Sequence, residues 1–270
     1  MKKLIYLIAV LAFCLAPAAY AQKNAEVNKW GREAVQAQRN KNWPKAIAAF
    51  KKVTELDPSS QNWEYLGVAY RSAGNLGEAI KAFTSAIEAD ADNVSAYSNR
   101  AFALIGQKRY DEAIQDCTEV LNRQADNINA RRTRAFAASS KGDSKMALDD
   151  YNAVLSTHHN DPDGLKGRAF VFMQMKDYDK AIADYSELIK IKSREQDNYL
   201  KRSRLYELKG DLKQAIADCD QALKIKPSDK DVQNRKKALE AMQSQQQPLT
   251  RAPDAQKPPA PPQPAPSKAP

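Results

Sequence analysis

The chain has 270 residues, of which 43% are hydrophobic and 28% are charged, and its formal net charge is +9. The 42 basic side chains are interleaved with 33 acidic ones, so the mild basic excess is compatible with anionic partners but indicates no strongly charged binding surface. Two histidines and three cysteines leave little material for a metal site or a disulfide framework.

The N-terminal segment MKKLIYLIAVLAFCLAPAAYA contains two lysines, a continuous apolar run and a small-x-small end at residues 19–21. This order predicts a secretory signal peptide, residues 1–21, cut after Ala21, and hence a periplasmic or secreted chain of net charge +7. The apolar run is short for a membrane span of ~20 residues, so no stable membrane insertion is expected after cleavage. Cys14 raises a lipoprotein alternative, but Phe13 precedes it where lipoprotein signals normally have a small residue.

The middle of the chain repeats one pattern six times. When Trp63 is counted as position 4 of a unit, alanine returns at position 20 at intervals of 33 or 34 residues. Position 8 is always small and position 24 is aromatic or cysteine, so two helices can approach closely with the space between them filled. The apolar residues follow the i, i+3, i+4, i+7 spacing of an amphipathic helix on both sides of a short turn. The repeated alanines are Ala46, Ala79, Ala113, Ala147, Ala181 and Ala215.

One unit carries the complete W-x2-L-G-x2-Y…A-x3-F spacing, formed by Trp63, Leu66, Gly67, Tyr70, Ala79 and Phe83. The chain therefore resembles the tetratricopeptide repeat family, whose members stack helical hairpins. The resemblance implies an all-α fold, a right-handed α-solenoid of six helical hairpins with a C-terminal capping helix. The predicted bounds are 22–243 for the solenoid, about 27–59, 60–93, 94–127, 128–161, 162–195 and 196–229 for the hairpins, and 230–243 for the capping helix.

The composition changes abruptly after residue 243. Nine of the fourteen prolines lie in residues 244–270, and Leu249 is the only large aliphatic residue there. Such a segment cannot bury a core and is predicted to be a disordered, Pro-rich tail. A spacer and a docking ligand both fit this composition.

No catalytic motif is found: the sequence has no glycine-rich phosphate loop and no G-x-S-x-G, H-E-x-x-H or C-x-x-C pattern. His158 and His159 are adjacent in a predicted loop with no further ligands beside them. Cys117 and Cys219 are three units apart, on the order of 30 Å if hairpins are spaced by about 10 Å, which is too far for a disulfide. The sequence predicts a non-enzymatic protein without a metal or a cofactor.

Two charged positions depart from the pattern of the family. Position 7, usually leucine, is arginine in units three to six, and position 23 is aspartate in the same four units. Because both residue types begin in the same unit, we expect them to pair within each hairpin as a structural Arg–Asp ladder; a row of arginines that binds an anionic ligand is the alternative. The ladder residues are Arg100, Asp116, Arg134, Asp150, Arg168, Asp184, Arg202 and Asp218.

Position 9 lies on the flank of the first helix that lines the concave groove in this family. It is phenylalanine in units three to five, and exposed aromatic rows usually mark an interface. We expect a partner segment with apolar side chains and some negative charge to lie here; packing of the rings against the next hairpin is the alternative. The two-carboxylate clamp of chaperone-tail binders does not fit, because it needs asparagine at position 9. The predicted groove consists of Phe102, Phe136, Phe170, Ile105, Met173, Arg132, Lys166 and Arg204.

These features favour a non-enzymatic protein–protein interaction scaffold or adaptor of the bacterial cell envelope that binds a peptide or protein segment. A structural or assembly factor that self-associates, and a regulatory subunit of an envelope enzyme, are the alternative hypotheses. An exported chain meets little nucleic acid, so no nucleic acid partner is expected. The sequence does not identify the protein partner.

Overall fold

The computed structural model describes residues 2–246, and the side chains of residues 20–245. The Pro-rich tail beyond Gln246 and the side chains of residues 1–19, including Cys14, lie outside this description. Within it the chain forms thirteen α-helices and no strand, which confirms the all-α helical-repeat fold. The helices are α1 (Lys2–Arg39), α2 (Trp43–Leu56), α3 (Ser60–Ser72), α4 (Leu76–Ala89), α5 (Val94–Gly106), α6 (Tyr110–Arg123), α7 (Ile128–Lys141), α8 (Ser144–Thr157), α9 (Pro162–Gln174), α10 (Tyr178–Ile191), α11 (Gln196–Lys209), α12 (Leu212–Ile225) and α13 (Lys230–Gln246).

The helices fall into two compact units, one ending at Ile191 and the other beginning at Lys192. In the first unit five hairpins, α1/α2 to α9/α10, follow one another, and the second helix of each hairpin packs on the first helix of the next. In the second unit α11 pairs with α12, and α13 packs on α12. Val232 and Leu239 of α13 are buried against the α12 residues Ala215 and Cys219, whereas Met242 is 43% exposed. Helix α13 continues to Gln246, beyond the predicted end of the capping helix.

Each hairpin turns through a residue in the left-handed backbone region. Glycine occupies this position in three hairpins, with φ of 81° at Gly74, 97° at Gly142 and 87° at Gly210. Lysine occupies it in the other three, with φ of 55° to 61°. A glycine adopts this conformation without the steric cost that a side chain brings, so the lysine turns depend more on the packing of their helices. The three lysines are Lys41, Lys108 and Lys176.

Side-chain caps fix where many helices begin. Asn93 accepts a hydrogen bond from the backbone N–H of Ala96 at 2.9 Å, and Asp143 accepts one from Met146 at 3.0 Å. These bonds satisfy N–H groups that have no partner inside a helix. Asn42, Asn127, Asp161 and Asp211 cap their helices in the same way.

Close contact between the helices of a hairpin requires the small residue at position 8. A Cβ atom on Gly67 would lie 2.5 Å from the Phe83 ring, which is fully buried. The ring of Phe83 thus lies against the backbone of α3, and a larger residue there would push the two helices apart.

Helix α1 runs without interruption for 38 residues and includes the predicted signal segment. Cleavage after Ala21 would leave residues 22–39 as the first helix of the first hairpin. In the part of the chain that the structure describes, no helix combines the length and the apolar character needed to span a bilayer.

Candidate functional site

The structure brings each arginine of the ladder together with the aspartate of its own hairpin. Arg100 donates from Nε to Oδ2 of Asp116 at 2.9 Å and from Nη2 to Oδ1 at 2.7 Å. The same two-pronged contact, at 2.6 to 3.0 Å, recurs in three further hairpins. The four aspartates are buried, so removing one arginine would leave a carboxylate without its counter-charge. The other three pairs are Arg134–Asp150, Arg168–Asp184 and Arg202–Asp218.

In the first unit, the third nitrogen of each ladder arginine reaches back to the preceding hairpin. Nη1 of Arg100 donates to the Thr84 hydroxyl at 2.9 Å, and Nη1 of Arg134 donates to the Thr118 hydroxyl at 3.1 Å. Nη1 of Arg168 donates to Oδ1 of Asn152 at 2.8 Å. This acceptor at position 25 was not predicted, although the sequence carries its signal: position 25 is polar in the units that precede these three arginines, as Thr84, Thr118 and Asn152.

The ladder arginines are held by hydrogen bonds to residues inside the fold. Burial raises the pKa of Asp116 and of Asp184, and the hydrogen bonds from their arginines oppose this rise. The hydrogen bonds to aspartate raise the pKa of Arg100 and of Arg134. With three nitrogens engaged, Arg100, Arg134 and Arg168 present little to an outside ligand, which favours the structural interpretation over the anion-binding one.

Three phenylalanines, one from each of α5, α7 and α9, line a single cavity of about 530 Å³ in the first unit. Phe102, Phe136 and Phe170 are 51%, 48% and 41% exposed. Ile105 and Thr133 extend the lining between the rings. Large apolar side chains left this open to solvent are unusual unless another surface covers them. We call this surface, between residues 102 and 170, the phenylalanine groove.

Tyr151 and Gly167 also line the phenylalanine groove and were not predicted. The Tyr151 ring of α8 is 3% exposed and lies so close to α9 that a Cβ atom on Gly167 would be 2.2 Å from its Cζ. Burial raises the pKa of Tyr151 to about 12, so its phenol stays neutral. The Tyr151 ring can therefore pack against α9 because Gly167 has no side chain. The sequence signal is the glycine itself, one residue before Arg168.

The charge at the edge of the groove is compensated within the chain. Nη1 of Arg132 donates to Asp161 at 3.0 Å and to Asp163 at 2.9 Å, and Nη2 donates to Asn129 at 2.7 Å. Asp161 is in turn the N-terminal cap of α9. Arg132 therefore does not offer the unpaired positive charge on which the expected preference for a negatively charged partner depended.

Two residues of the predicted groove lie elsewhere. Met173 is partly buried on α9 and does not line the cavity, and Arg204 is exposed on α11 in the second unit. Lys166 does line the cavity. The structure thus assembles six of the eight predicted residues around one apolar surface.

Within the described residues, no group of three or more histidine, cysteine, aspartate or glutamate side chains is placed to hold a metal ion. His158 and His159 follow α8, and Nδ1 of His159 lies 2.7 Å from the Leu155 carbonyl oxygen. Cys117 and Cys219 are buried, and neither forms a disulfide.

The fold and the groove define a class: a helical-repeat protein that presents an aromatic surface built from successive hairpins. Tetratricopeptide repeat models match residues 28–94, 70–135, 167–195 and 196–229, more than half of the chain. The chain belongs to the tetratricopeptide repeat family. Members of this family act as protein-interaction scaffolds and are generally not enzymes. No curated protein matches the chain.

Solved structures share the fold at low sequence identity. A tetratricopeptide repeat protein from Parabacteroides merdae is 18% identical, covers 82% of this chain and 88% of its own length, and gives a TM-score of 0.68. PilW, a type IV pilus biogenesis factor, is 16% identical over 77% of this chain and 97% of its own, with a TM-score of 0.65. YrrB, described as having an unusual peptide-binding site, is 18% identical over 71% and 100%, with a TM-score of 0.56. At these identities the similarity shows the fold alone.

Proposed function

We propose that the protein is a non-enzymatic scaffold that holds an apolar segment of a partner protein in the phenylalanine groove. The single observation that carries this proposal is the row of three half-exposed phenylalanines on successive hairpins around one cavity of about 530 Å³. Aromatic side chains dominate the energy of protein interfaces when they are covered and shielded from water.

The shape and charge of the groove limit the partner. Arg132 is neutralised by Asp161 and Asp163, so the groove selects mainly by apolar contact. A cavity of this size accommodates a few apolar side chains rather than a whole domain. An extended or helical peptide segment with large apolar side chains fits this description.

A capture experiment with two matched triple variants tests the groove. The Phe102→Ser/Phe136→Ser/Phe170→Ser variant removes the aromatic row, and Leu208→Ser/Ile225→Ser/Met242→Ser removes three apolar side chains of similar exposure elsewhere. We expect the proteins captured from a cell-envelope extract by the full chain to be lost with the first variant and retained with the second. An unchanged set of captured proteins with the first variant would exclude the groove as the binding surface.

Export to the cell envelope is a separate part of the proposal and rests on residues 1–21. Lys2 and Lys3, the apolar run and Ala19–Ala21 support a signal peptide that is removed after Ala21. We expect the mature chain to begin at Gln22 when its mass and N-terminal sequence are determined from the periplasmic or secreted fraction. A cytosolic chain with an intact N-terminus would contradict export while leaving the groove unaffected.

Self-association is the alternative that the exposed aromatic row also allows. We expect light scattering to give the mass of one chain at all concentrations, because a partner segment rather than a second copy fills the groove. A mass that doubles with concentration, and that returns to one chain in the triple phenylalanine variant, would favour self-association.

A further inference from the structure

A second cavity, of about 570 Å³, lies in the first two hairpins and shares no lining residue with the phenylalanine groove. Its apolar part comes from Val35 of α1, Phe50 and Val53 of α2, and Tyr65 of α3. The rings of Phe50 and Tyr65 lie 6.0 Å apart, and Tyr65 and Val35 remain 47% and 43% exposed. We call this surface the N-terminal cavity.

Two arginines on α1, Arg32 and Arg39, line the N-terminal cavity. Among the arginines of residues 20–191, only the side chains of these two make no hydrogen bond or ion pair with a described residue. Every other arginine in that range has at least one partner. The two arginines without partners therefore both line the N-terminal cavity. The partnered ones are Arg71, Arg100, Arg109, Arg123, Arg131, Arg132, Arg134 and Arg168.

No acidic side chain lines the cavity. Glu33, which lies beside Arg32 in the sequence, contacts Lys45 at 3.1 Å instead. This differs from the phenylalanine groove, where two aspartates neutralise Arg132. The N-terminal cavity therefore carries two positive charges that the described residues leave uncompensated.

The spacing of the two arginines sets the size of a matching ligand. They are seven residues apart on one helix, which is close to two turns, so they share a face at a separation of about 10.5 Å. An extended peptide advances about 3.3 Å per residue, so carboxylates three residues apart match this separation. The apolar surface of Val35, Phe50 and Tyr65 lies on the same cavity and can contact a side chain between them.

We propose that the N-terminal cavity binds an acidic peptide segment of a partner protein, in which two carboxylates three residues apart flank an apolar side chain. Each guanidinium forms charge-assisted, two-pronged hydrogen bonds with one carboxylate. Asn28 and Gln36 also line the cavity, and their amides match the polar backbone of a peptide, whereas Nδ2 of Asn62 already donates to Asp57. Inorganic phosphate has no apolar group to pack against the Phe50 and Tyr65 rings. A flat lipid surface does not enter the cavity far enough to contact them. The proposal stands independently of the phenylalanine groove.

The probe is a fluorescein-labelled peptide with an Asp-Leu-Phe-Asp core, and its control has Asn-Leu-Phe-Asn. We expect fluorescence anisotropy with the full chain to show at least about tenfold tighter binding of the Asp peptide, because only the carboxylate forms the charged contact. The preference falls as salt is added, since both arginines are exposed. Equal affinity for the two peptides would overturn the proposal.

Variants distinguish a specific contact with the two arginines from a general attraction to positive charge. We expect Arg32→Gln/Arg39→Gln to weaken binding of the Asp peptide by about tenfold or more, and Arg32→Lys/Arg39→Lys to weaken it less, because lysine keeps the charge but not the planar fork. The control Arg194→Gln/Lys213→Gln removes the same charge at two exposed residues without described partners and leaves binding within about twofold. An equal loss with this control would show non-specific attraction and overturn the proposal.

Two further measurements establish the site and the ligand class. The Phe102→Ser/Phe136→Ser/Phe170→Ser variant is expected to keep its affinity for the Asp peptide; a parallel loss would show that the N-terminal cavity is not a separate site. If the capture experiment shows no role for the phenylalanine groove, this result is unaffected, so each proposal can be overturned without the other.

Vesicles of phosphatidylglycerol test whether the ligand is a lipid. They are expected not to displace the peptide, and displacement that depends on Arg32 and Arg39 would assign the cavity to lipid instead.

Discussion

The first unit contains two kinds of hairpin, which use arginine differently. In α5–α10 the ladder arginines bind aspartates inside the fold, and the phenylalanine groove on the same helices is mainly apolar. In α1–α4 the corresponding position of the second hairpin is Leu66, opposite Ala82, and two arginines, Arg32 and Arg39, lie in a cavity without acids. A cavity of about 430 Å³ is lined by Leu66 and Ala82, where the later hairpins have the ion pair. An arginine held by the fold contributes to packing, whereas one left without a partner can contribute to binding.

The largest effect is expected from breaking the ladder. Arg134→Asp would place two carboxylates together at a buried position, and we expect a loss of about 3 to 5 kcal/mol in the free energy of unfolding. Urea unfolding measures the loss, and hydrogen exchange should locate it in α7 and α8. The exchanged pair Arg134→Asp/Asp150→Arg should recover part of the stability. An unchanged midpoint in the single variant would show that the pair does not hold the hairpin.

The second test introduces the ladder where it is absent. Ala82→Asp alone buries a carboxylate without the arginine that the later hairpins supply and is expected to cost about 3 kcal/mol. Leu66→Arg/Ala82→Asp recreates the 16-residue spacing of Arg100 and Asp116 and should recover most of that loss. Thermal unfolding of both variants compares them. If the double variant is no more stable than Ala82→Asp, the difference between the hairpins extends beyond these two positions.

Two glycines provide a matched pair for the two surfaces. Gly167→Ala brings a methyl group against Tyr151, and we expect a loss of about 1 to 3 kcal/mol from overpacking. Gly31→Ala places the same group where nothing lies within 4 Å, and we expect a gain of about 0.5 to 1 kcal/mol from higher helix propensity. Urea unfolding of the two variants should give opposite signs. Equal effects would mean that Tyr151 moves aside without cost.

The smallest effect is expected from the bond between hairpins. Thr118→Val keeps the shape of the side chain but removes the hydroxyl that accepts from Arg134 at 3.1 Å. We expect a loss of about 1 kcal/mol, because the bond accepted from Arg134 and the bond donated to the Ile114 carbonyl are both lost while the pair with Asp150 remains. Val154→Thr reverses this exchange at a buried position that lines neither of the two cavities and serves as the control for shape. No change in stability with Thr118→Val would show that solvent replaces the hydroxyl.

Much of the fold could be predicted from the sequence because its signal is repeated. Ala46 and its five equivalents fix the register, and that register brings Arg100 within reach of Asp116, as the structure shows. The contact of Arg100 with Thr84 crosses between hairpins, and the register alone does not indicate which neighbouring residue an arginine's third nitrogen will reach.

The candidate site could be predicted only in part, for a physical reason. Position 9 identified the phenylalanine row, because its place on the helix follows from the repeat. The neutralisation of Arg132 depends on Asp161 and Asp163, which lie at a joint between hairpins where side-chain directions are not periodic. For the same reason the pattern did not single out Arg32 and Arg39, whose significance comes from the partners that they lack.

The contacts of the ladder make the hairpins interchangeable. Each ladder arginine of α5, α7 and α9 binds an aspartate of its own hairpin and a polar residue at a fixed position of the preceding one. Loss of residues 128–161 would bring Thr118 to the place of Asn152 beside Arg168, and either side chain can accept the hydrogen bond. Duplication or deletion of one whole repeat in the gene would therefore change the length of the groove while each junction keeps the bonds of its ladder arginine.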